Sequence, residues 1–207
     1  VIITSDRGMA GAFNSNILRK AHTEIDEFGK DKVDIICIGK KSRDYFKVRK
    51  YNIISTHIDF WNTLNFQDAM KMGKEFVGKF ILGEVDEVKV IYNEFKSVGS
   101  QILKDVVLLP LVVDVTGQKL NSNRLFEPSK EKIIQNVIPR HLNIQVWQYL
   151  LESNASEHAA RMVAMENATE NAGEMIKDLG LEYNKARQSA ITTEIIEIVS
   201  GANAQAG

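Results

Sequence analysis

The last third of the chain limits its fold more than any other feature. From Arg140 to about Val199 no strong helix terminator interrupts a composition rich in Ala, Glu, Met, Leu and Ile. An unbroken helix over that span is about 60 residues, or ~90 Å at ~1.5 Å per residue. No compact domain formed by a chain of 207 residues has an interior that long. Along the helix, His158, Met162, Met165, Thr169, Ala172, Ile176, Leu179, Tyr183, Ala186 and Ala190 follow an unbroken 4-3-4-3 spacing, the heptad seam of a coiled coil. A second helix must lie along it. Ala and Thr at the seam permit close approach but bury less apolar surface per turn than a Leu-rich zipper, and a polar seam residue such as His158 more often fixes register than performs catalysis. Gly173 and Gly180 each disfavour an isolated helix by roughly 1 kcal/mol, which packing or function must offset. Past Ala190 the register fails at Thr193 and Glu197 and passes to Ile191, Ile195 and Ile198, so the partner or the environment changes near the tip. Residues 1–126 offer no helix of matching length, which places the partner outside the chain as given. A homodimeric coiled coil satisfies the same seam.

The first 126 residues read differently. Short β-rich runs alternate with amphipathic stretches, as when parallel strands are joined by crossover helices. Strands are expected at Val1 to Ser5, Val33 to Ile38, Ile53 to Thr56, Glu87 to Phe95 and Gln101 to Leu109. Helices are expected from Asn14 to Phe28, capped by Asn14 or Ser15, in a short piece after Gly39, and from about Asn65 to Leu82, started by Asn65 and stopped by Gly83. Only about five residues separate the last two strands, too few for a crossover helix, so they should form an antiparallel hairpin at one sheet edge. The expected fold class is α/β, a three-layer Rossmann-like domain with a mixed sheet, followed by the very long C-terminal helix. Pro110 to Leu125 reads as a polar loop and the domain boundary, giving an α/β domain over 1–126 and a helical part over 127–207. Pro139, which lacks an amide donor and clashes with the preceding turn, should end or kink a short first helix of about 130–138, with the long helix following over about 140–200.

Charge and composition exclude several functions. Lys plus Arg number 26 against 27 Asp plus Glu, so no global basic field draws the molecule to nucleic acid or acidic lipid. That balance averages two unlike parts: +3 up to Phe126, from 19 basic and 16 acidic residues, and −4 beyond it, from 7 and 11. The longest apolar run, Val106 to Val113, is far short of the ~20 residues that cross a bilayer. Cys37, the single cysteine, reads as a buried thiol. His22, His57, His141 and His158 lack metal-ligand spacing, so no metal and no cofactor are expected. The turn Ser5-Asp6-Arg7-Gly8-Met9-Ala10-Gly11 follows a strand and opens a helix, where α/β proteins often bind phosphate. It matches neither the dinucleotide fingerprint nor the phosphate loop, which leaves a structural turn or a nucleotide-dependent enzyme as alternatives. The basic run from Lys40 to Lys50, with Tyr45, Phe46 and Tyr51, reads as a solvated helix face with core aromatics or as a nucleic-acid patch. The chain opens on Val1-Ile2-Ile3-Thr4, without an initiator Met or a basic leader, and is expected to be a fragment of a longer protein.

Four stretches of the long helix and the opening turn carry a resemblance. Ala155-Ser156-Glu157-His158-Ala159-Ala160-Arg161-Met162-Val163-Ala164-Met165, then Asn167-Ala168-Thr169, then Tyr183-Asn184-Lys185-Ala186-Arg187-Gln188, and finally Ile191-Thr192 through Glu197-Ile198-Val199-Ser200-Gly201-Ala202 resemble the C-terminal helix of the ATP synthase gamma chain. The opening Thr4-Ser5-Asp6-Arg7-Gly8 with Gly11, Phe13 and Asn14 resembles that family's first strand and turn, with Met9-Ala10 where the family usually has Leu-Cys. The resemblance implies a non-catalytic central-stalk rotor of the proton-translocating ATP synthase. Its long helix would be half of an antiparallel coiled coil with an N-terminal helix of its own chain, inside a ring of alpha and beta chains. Epsilon chain and membrane c-ring would be further partners. By motif, Arg187, Gln188, Thr192 and Glu194 would contact beta-chain loops, and Phe126 and Glu127 the membrane ring. The setting implied is peripheral, at the cytoplasmic face of a bacterial inner membrane or the matrix side of the mitochondrial one.

Overall fold

A computed structural model describes residues 1–111 and 129–206. The polar loop expected over Pro110 to Leu125 lies almost wholly outside them. The elements run β1 (Ile2–Ile3), α1 (Phe13–Phe28), β2 (Ile35–Ile38), α2 (Lys40–Val48), β3 (Ile53–His57), α3 (Phe66–Ile81), β4 (Val88–Ser97), β5 (Ser100–Leu109) and α4 (Lys130–Ala206). The five strands form one sheet in the order β3-β2-β1-β4-β5. The first four are parallel, and β5 pairs antiparallel with β4 from Val88↔Leu109 to Ser97↔Ser100. The mixed sheet with its edge hairpin is therefore present as the alternation of apolar residues predicts.

The sheet is covered on both faces, as parallel strands require. Because side chains alternate along a strand, Ile2, Ile35, Cys37 and Ile91 point to one face, where they meet Phe13, Ile17, Ala21 and Ile25 of α1 and Phe46 of α2. Ile3, Ile36, Ile38, Val90 and Tyr92 point to the other, where they meet Ala69, Met72 and Phe76 of α3 and Leu142, Val146, Tyr149 and Leu150 of α4. Gly39 lies between β2 and α2 at φ +96°, and a Cβ there would collide with the backbone of Thr4, so the close approach of β1 and β2 requires glycine. Asn65 starts α3 through a capping box: its side chain accepts from the amides of Gln67 (2.9 Å) and Asp68 (3.2 Å), and its own amide donates to Asp68 (3.3 Å).

Two expectations fail. Neither Asn14 nor Ser15 caps α1; the helix begins at Phe13 with Ala12 before it and no side-chain cap. Asn14 instead accepts from the Ser5 amide at 3.0 Å, because a short amide side chain can serve the turn as readily as the helix. Nor does Pro139 end a helix: α4 is a single element of 77 residues with Pro139 inside it, rather than a short helix to 138 and a second from 140. Proline removes one amide donor and frees the carbonyl four residues earlier. Gln135, which carries that carbonyl, is exposed, as is Pro139, so water can satisfy it.

By spatial contact the chain forms two units, Val1–Val163 and Ala164–Gly207. Composition changes near residue 127, but the first compact unit extends to Val163 because the first half of α4 completes its core. The second unit is helix alone among the described residues, with every non-glycine side chain from Met165 to Gln205 exposed.

Candidate functional site: a closed crevice and a two-faced helix

In open α/β sheets ligands bind beyond the carboxyl ends of the strands, where the strand order reverses. Here that point lies between β1 and β4, and several polar groups beside it bond to the protein itself. Asn93 on β4, buried, donates to the Phe13 carbonyl at 3.3 Å. Ser156 of α4, also buried, donates to the Asn93 carbonyl at 3.2 Å. On the β2 side, the Asp6 carboxylate accepts from the Lys40 amide, the first residue of α2, at 2.8 Å through one oxygen and from the Asp59 amide at 2.8 Å through the other. An anion at a helix N-terminus is favourable, and the protein supplies its own. Lys40 pairs with Asp59 at 2.6 Å. Asp6 of the Ser5–Gly11 turn is thus engaged with two backbone amides of the protein itself.

Other candidate chemistry is likewise engaged in structure. Lys40 to Lys50 forms α2 and its C-terminal turn, with Phe46 in the core. Arg43 pairs with Asp44 at 2.7 Å, and Arg49 lies 3.6 Å from the Tyr45 ring centroid, a cation–π contact. The Tyr51 hydroxyl donates to Asp26 at 2.9 Å and lies 2.9 Å from His22 Nδ1. His57 lies 2.9 Å from Glu75. Among the described residues no three His, Cys, Asp or Glu side chains converge as metal ligands. Cys37 is buried, which pushes its thiol up to about 11 and keeps it from forming the reactive thiolate at neutral pH.

The long helix carries the distinctive surface. One face of its first half, Leu142, Val146, Tyr149, Leu150, Ser153, Ser156 and Ala160, is buried in the first unit. A second face is exposed at every position: Ile134, Val137, His141, Ile144, Gln148, Leu151, Ala155, His158 and Met162, spaced 3-4-3-4. Val137, Ile144 and Leu151 are 55%, 45% and 43% exposed. This stripe is the heptad seam extended toward the N-terminus, in the same register and straight through Pro139. Its first seven positions are hidden in the sequence because the helix is apolar on two faces there, and a buried face masks a stripe at the same period. In the second unit the seam residues Met165, Thr169, Ala172, Ile176, Leu179, Tyr183, Ala186 and Ala190 are likewise exposed.

Arg187, Gln188, Thr192 and Glu194 are all exposed on α4. Residues seven apart share a helix face, so Arg187 and Glu194 form one row. Gln188 and Thr192 form the adjacent one, where the Thr192 hydroxyl donates to the Gln188 carbonyl at 2.8 Å. Neither Arg187 nor Glu194 has an ion-pair partner among the described residues. Phe126 and Glu127, the expected membrane-ring contacts, lie outside the described residues.

Comparison with known proteins agrees with this architecture. A family model described as ATP synthase matches residues 1–205. The ATP synthase gamma chain of Prosthecochloris aestuarii is 47% identical over 214 aligned residues, which cover 100% of this chain and 73% of that protein. The gamma chain of Chlorobium phaeobacteroides is 46% identical, with 100% and 73% covered. Among solved structures, a chain of the Euglena gracilis mitochondrial ATP synthase, in an assembly of OSCP, F1 and c-ring, superposes with a TM-score of 0.73 at 26% identity, covering 98% of this chain and 71% of its own. A chain of the rotor of the same enzyme gives 0.68 at 25% identity, with 91% and 72% covered.

Proposed function

This chain belongs to the ATP synthase gamma chain family and is a central-stalk subunit of the rotary ATP synthase, and from that premise we propose how its surfaces divide the work. The α/β unit, whose Asn93, Ser156 and Asp6 are bonded to the protein itself beside the point where the strand order reverses, carries no catalytic site of its own. Nucleotide chemistry belongs to alpha and beta chains, and this chain couples their conformations to rotation driven by ion flow. Rotation changes which conformation each beta chain favours, and nucleotide steps in turn favour successive shaft angles, which is reciprocal coupling between sites.

The observation that carries this reading is the exposed 3-4 stripe from Ile134 to Ala190, apolar at most positions, on a helix whose opposite face is already committed to the core in its first half. A surface helix does not leave such a stripe to water without a partner helix. Its occupant is an antiparallel helix from the N-terminal part of the full-length chain. Arg187, Gln188, Thr192 and Glu194 then face beta-chain loops, while Phe126 and Glu127 lie against the membrane ring below the α/β domain of residues 1–126. Epsilon chain and c-ring complete the partners, at the cytoplasmic face of a bacterial inner membrane.

Leu151→Glu tests the stripe. It places a charge on an exposed position of the first unit, so the isolated chain keeps its fold, whereas the full-length protein should lose coupled ATPase turnover on reconstitution with alpha and beta chains. Normal turnover and coupling in that variant would remove the stripe as the packing surface. Charge reversal at Arg187 together with Gln188→Ala probes the tip contacts in the same assay.

A further inference from the structure

Ser156, Glu157 and Arg161 occupy the last turns of α4 that belong to the first unit. Earlier in the helix, Leu142, Val146, Tyr149 and Leu150 hold it to the sheet by apolar burial. Apolar burial is strong but non-directional. It opposes removal of the helix from the sheet more than it opposes a small turn of the helix about its own axis, since one methyl contact can replace another. Hydrogen bonds are directional, and the last turns are where α4 acquires them. The Ser156 hydroxyl donates to the Asn93 carbonyl of β4 at 3.2 Å. The Arg161 guanidinium donates to the Gly8 carbonyl, in the turn between β1 and α1, at 3.5 Å and to Glu157 Oε1 at 2.6 Å. Glu157 is 6% exposed, and a carboxylate so placed holds its cation in one orientation.

We propose that Ser156 and the Glu157–Arg161 pair are a torsional lock, positioning residues that fix the rotational setting of α4 on the α/β unit. Two tethers five residues apart lead to two different elements, so the helix cannot turn about its axis without breaking one of them. Twist carried along the helix then moves the α/β unit as a rigid body instead of being lost as slippage against the sheet. The proposal rests on the central-stalk role.

The lock is tested with Ser156→Ala combined with Arg161→Lys. Lysine keeps the charge and the i,i+4 pair with Glu157, but its single shorter head group does not also reach Gly8. In the assembled complex, with the catalytic ring immobilised and a bead attached through Lys96→Cys on the exposed β-hairpin, the angular variance of the bead during catalytic dwells should rise. The expected rise is at least about twofold, the population change that loss of even one of the two hydrogen bonds brings. Unloaded ATP hydrolysis and far-UV circular dichroism should match the unaltered protein, and Ser156→Thr, which keeps the hydroxyl, should restore the variance at that tether. Unchanged variance in the double variant overturns the lock, as does a rise accompanied by loss of helix signal, which would make the residues merely structural. Amide exchange at Gly8, Met9 and Ala10 in the full-length chain is the independent arm: faster exchange in Arg161→Lys supports the tether and unchanged exchange overturns it. Failure of the unaltered complex to rotate would count against the rotor reading, and the exchange arm would still decide the lock.

Discussion

Asp6→Ala isolates the carboxylate that ties the turn after β1 to the start of α2. The Asp6 carboxylate accepts two backbone amides, Lys40 at 2.8 Å and Asp59 at 2.8 Å, and each bond to a charged acceptor is worth about 1.5–3 kcal/mol. The simple sum overstates the loss. Asp59 is exposed, so its amide regains water, whereas the half-buried amide of Lys40 opens α2 and loses both its cap, about 1 kcal/mol, and a favourable charge at the helix dipole, about 0.3–1 kcal/mol. The expected destabilisation is therefore about 2–3 kcal/mol. Urea unfolding followed by tryptophan fluorescence reports it, since Trp61 and Trp147 both pack against the core of the first unit. The midpoint should fall with the slope unchanged. Arg7→Ala is the control, because the Arg7 side chain is exposed and its loss should change stability by less than about 0.5 kcal/mol. If Asp6→Ala behaves like Arg7→Ala, the carboxylate is not what holds α2 to the β1 turn. The start of α2 would then have to be reconsidered as an open anion site, which phosphate stabilisation of the variant would reveal.

Two further measurements follow from the same unit. Cys37 has its thiol pushed from 9.0 up to about 11 by burial; a raised value stabilises the fold fully below the unfolded-state value and is lost as pH rises through the folded one. Stability should therefore fall between about pH 9 and 11 by about 2–3 kcal/mol more in the unaltered chain than in Cys37→Ala, and equal alkaline limbs in the two chains would refute it. Gly39→Ala forces a residue with a Cβ to φ +96° and against Thr4, whose carbonyl carbon would lie 2.7 Å from that Cβ. It should destabilise by about 3–5 kcal/mol in urea unfolding, and a loss under about 1 kcal/mol would mean that β1 and β2 can separate there at little cost.

Legibility in the sequence followed how many structural demands fell on one stretch. Where a single demand set the pattern it was readable: Ile35–Ile38 as a strand buried on both faces, Asn65 with Asp68 as a helix start, and a short gap between two β-rich runs as a hairpin, although the strands run on until only Val98 and Gly99 separate them rather than the five residues expected. Asn14 misled because an Asx side chain satisfies a turn or a helix with the same chemistry, and only the position of the Ser5 amide decides between them. Pro139 misled because its effect depends on whether the carbonyl it frees is in water, which the local sequence does not show. The seam was legible from His158 onward and hidden before it, where Leu142, Val146 and Leu150 serve the core while Ile144 and Leu151 stay exposed on another face of the same turns. The polar bonds beside the point where the strand order reverses were illegible altogether, since Ser156 reaches Asn93 across 63 positions and Asp6 reaches Lys40 and Asp59 across 34 and 53.

The dependence of the sheet on α4 also sets an order of events during synthesis. Val90, Tyr92 and Leu108 need Leu142 to Leu150 to cover them, and about 40 residues separate Leu109 from Leu150. At ~5–20 residues per second a ribosome takes roughly 2–8 s over that interval. Throughout it, a finished β4–β5 hairpin presents one apolar face that lacks the α4 side chains completing its cover. The nascent chain is most open to aggregation and most in need of a chaperone in that window, and a rare-codon pause placed between the hairpin and residue 150 would lengthen it.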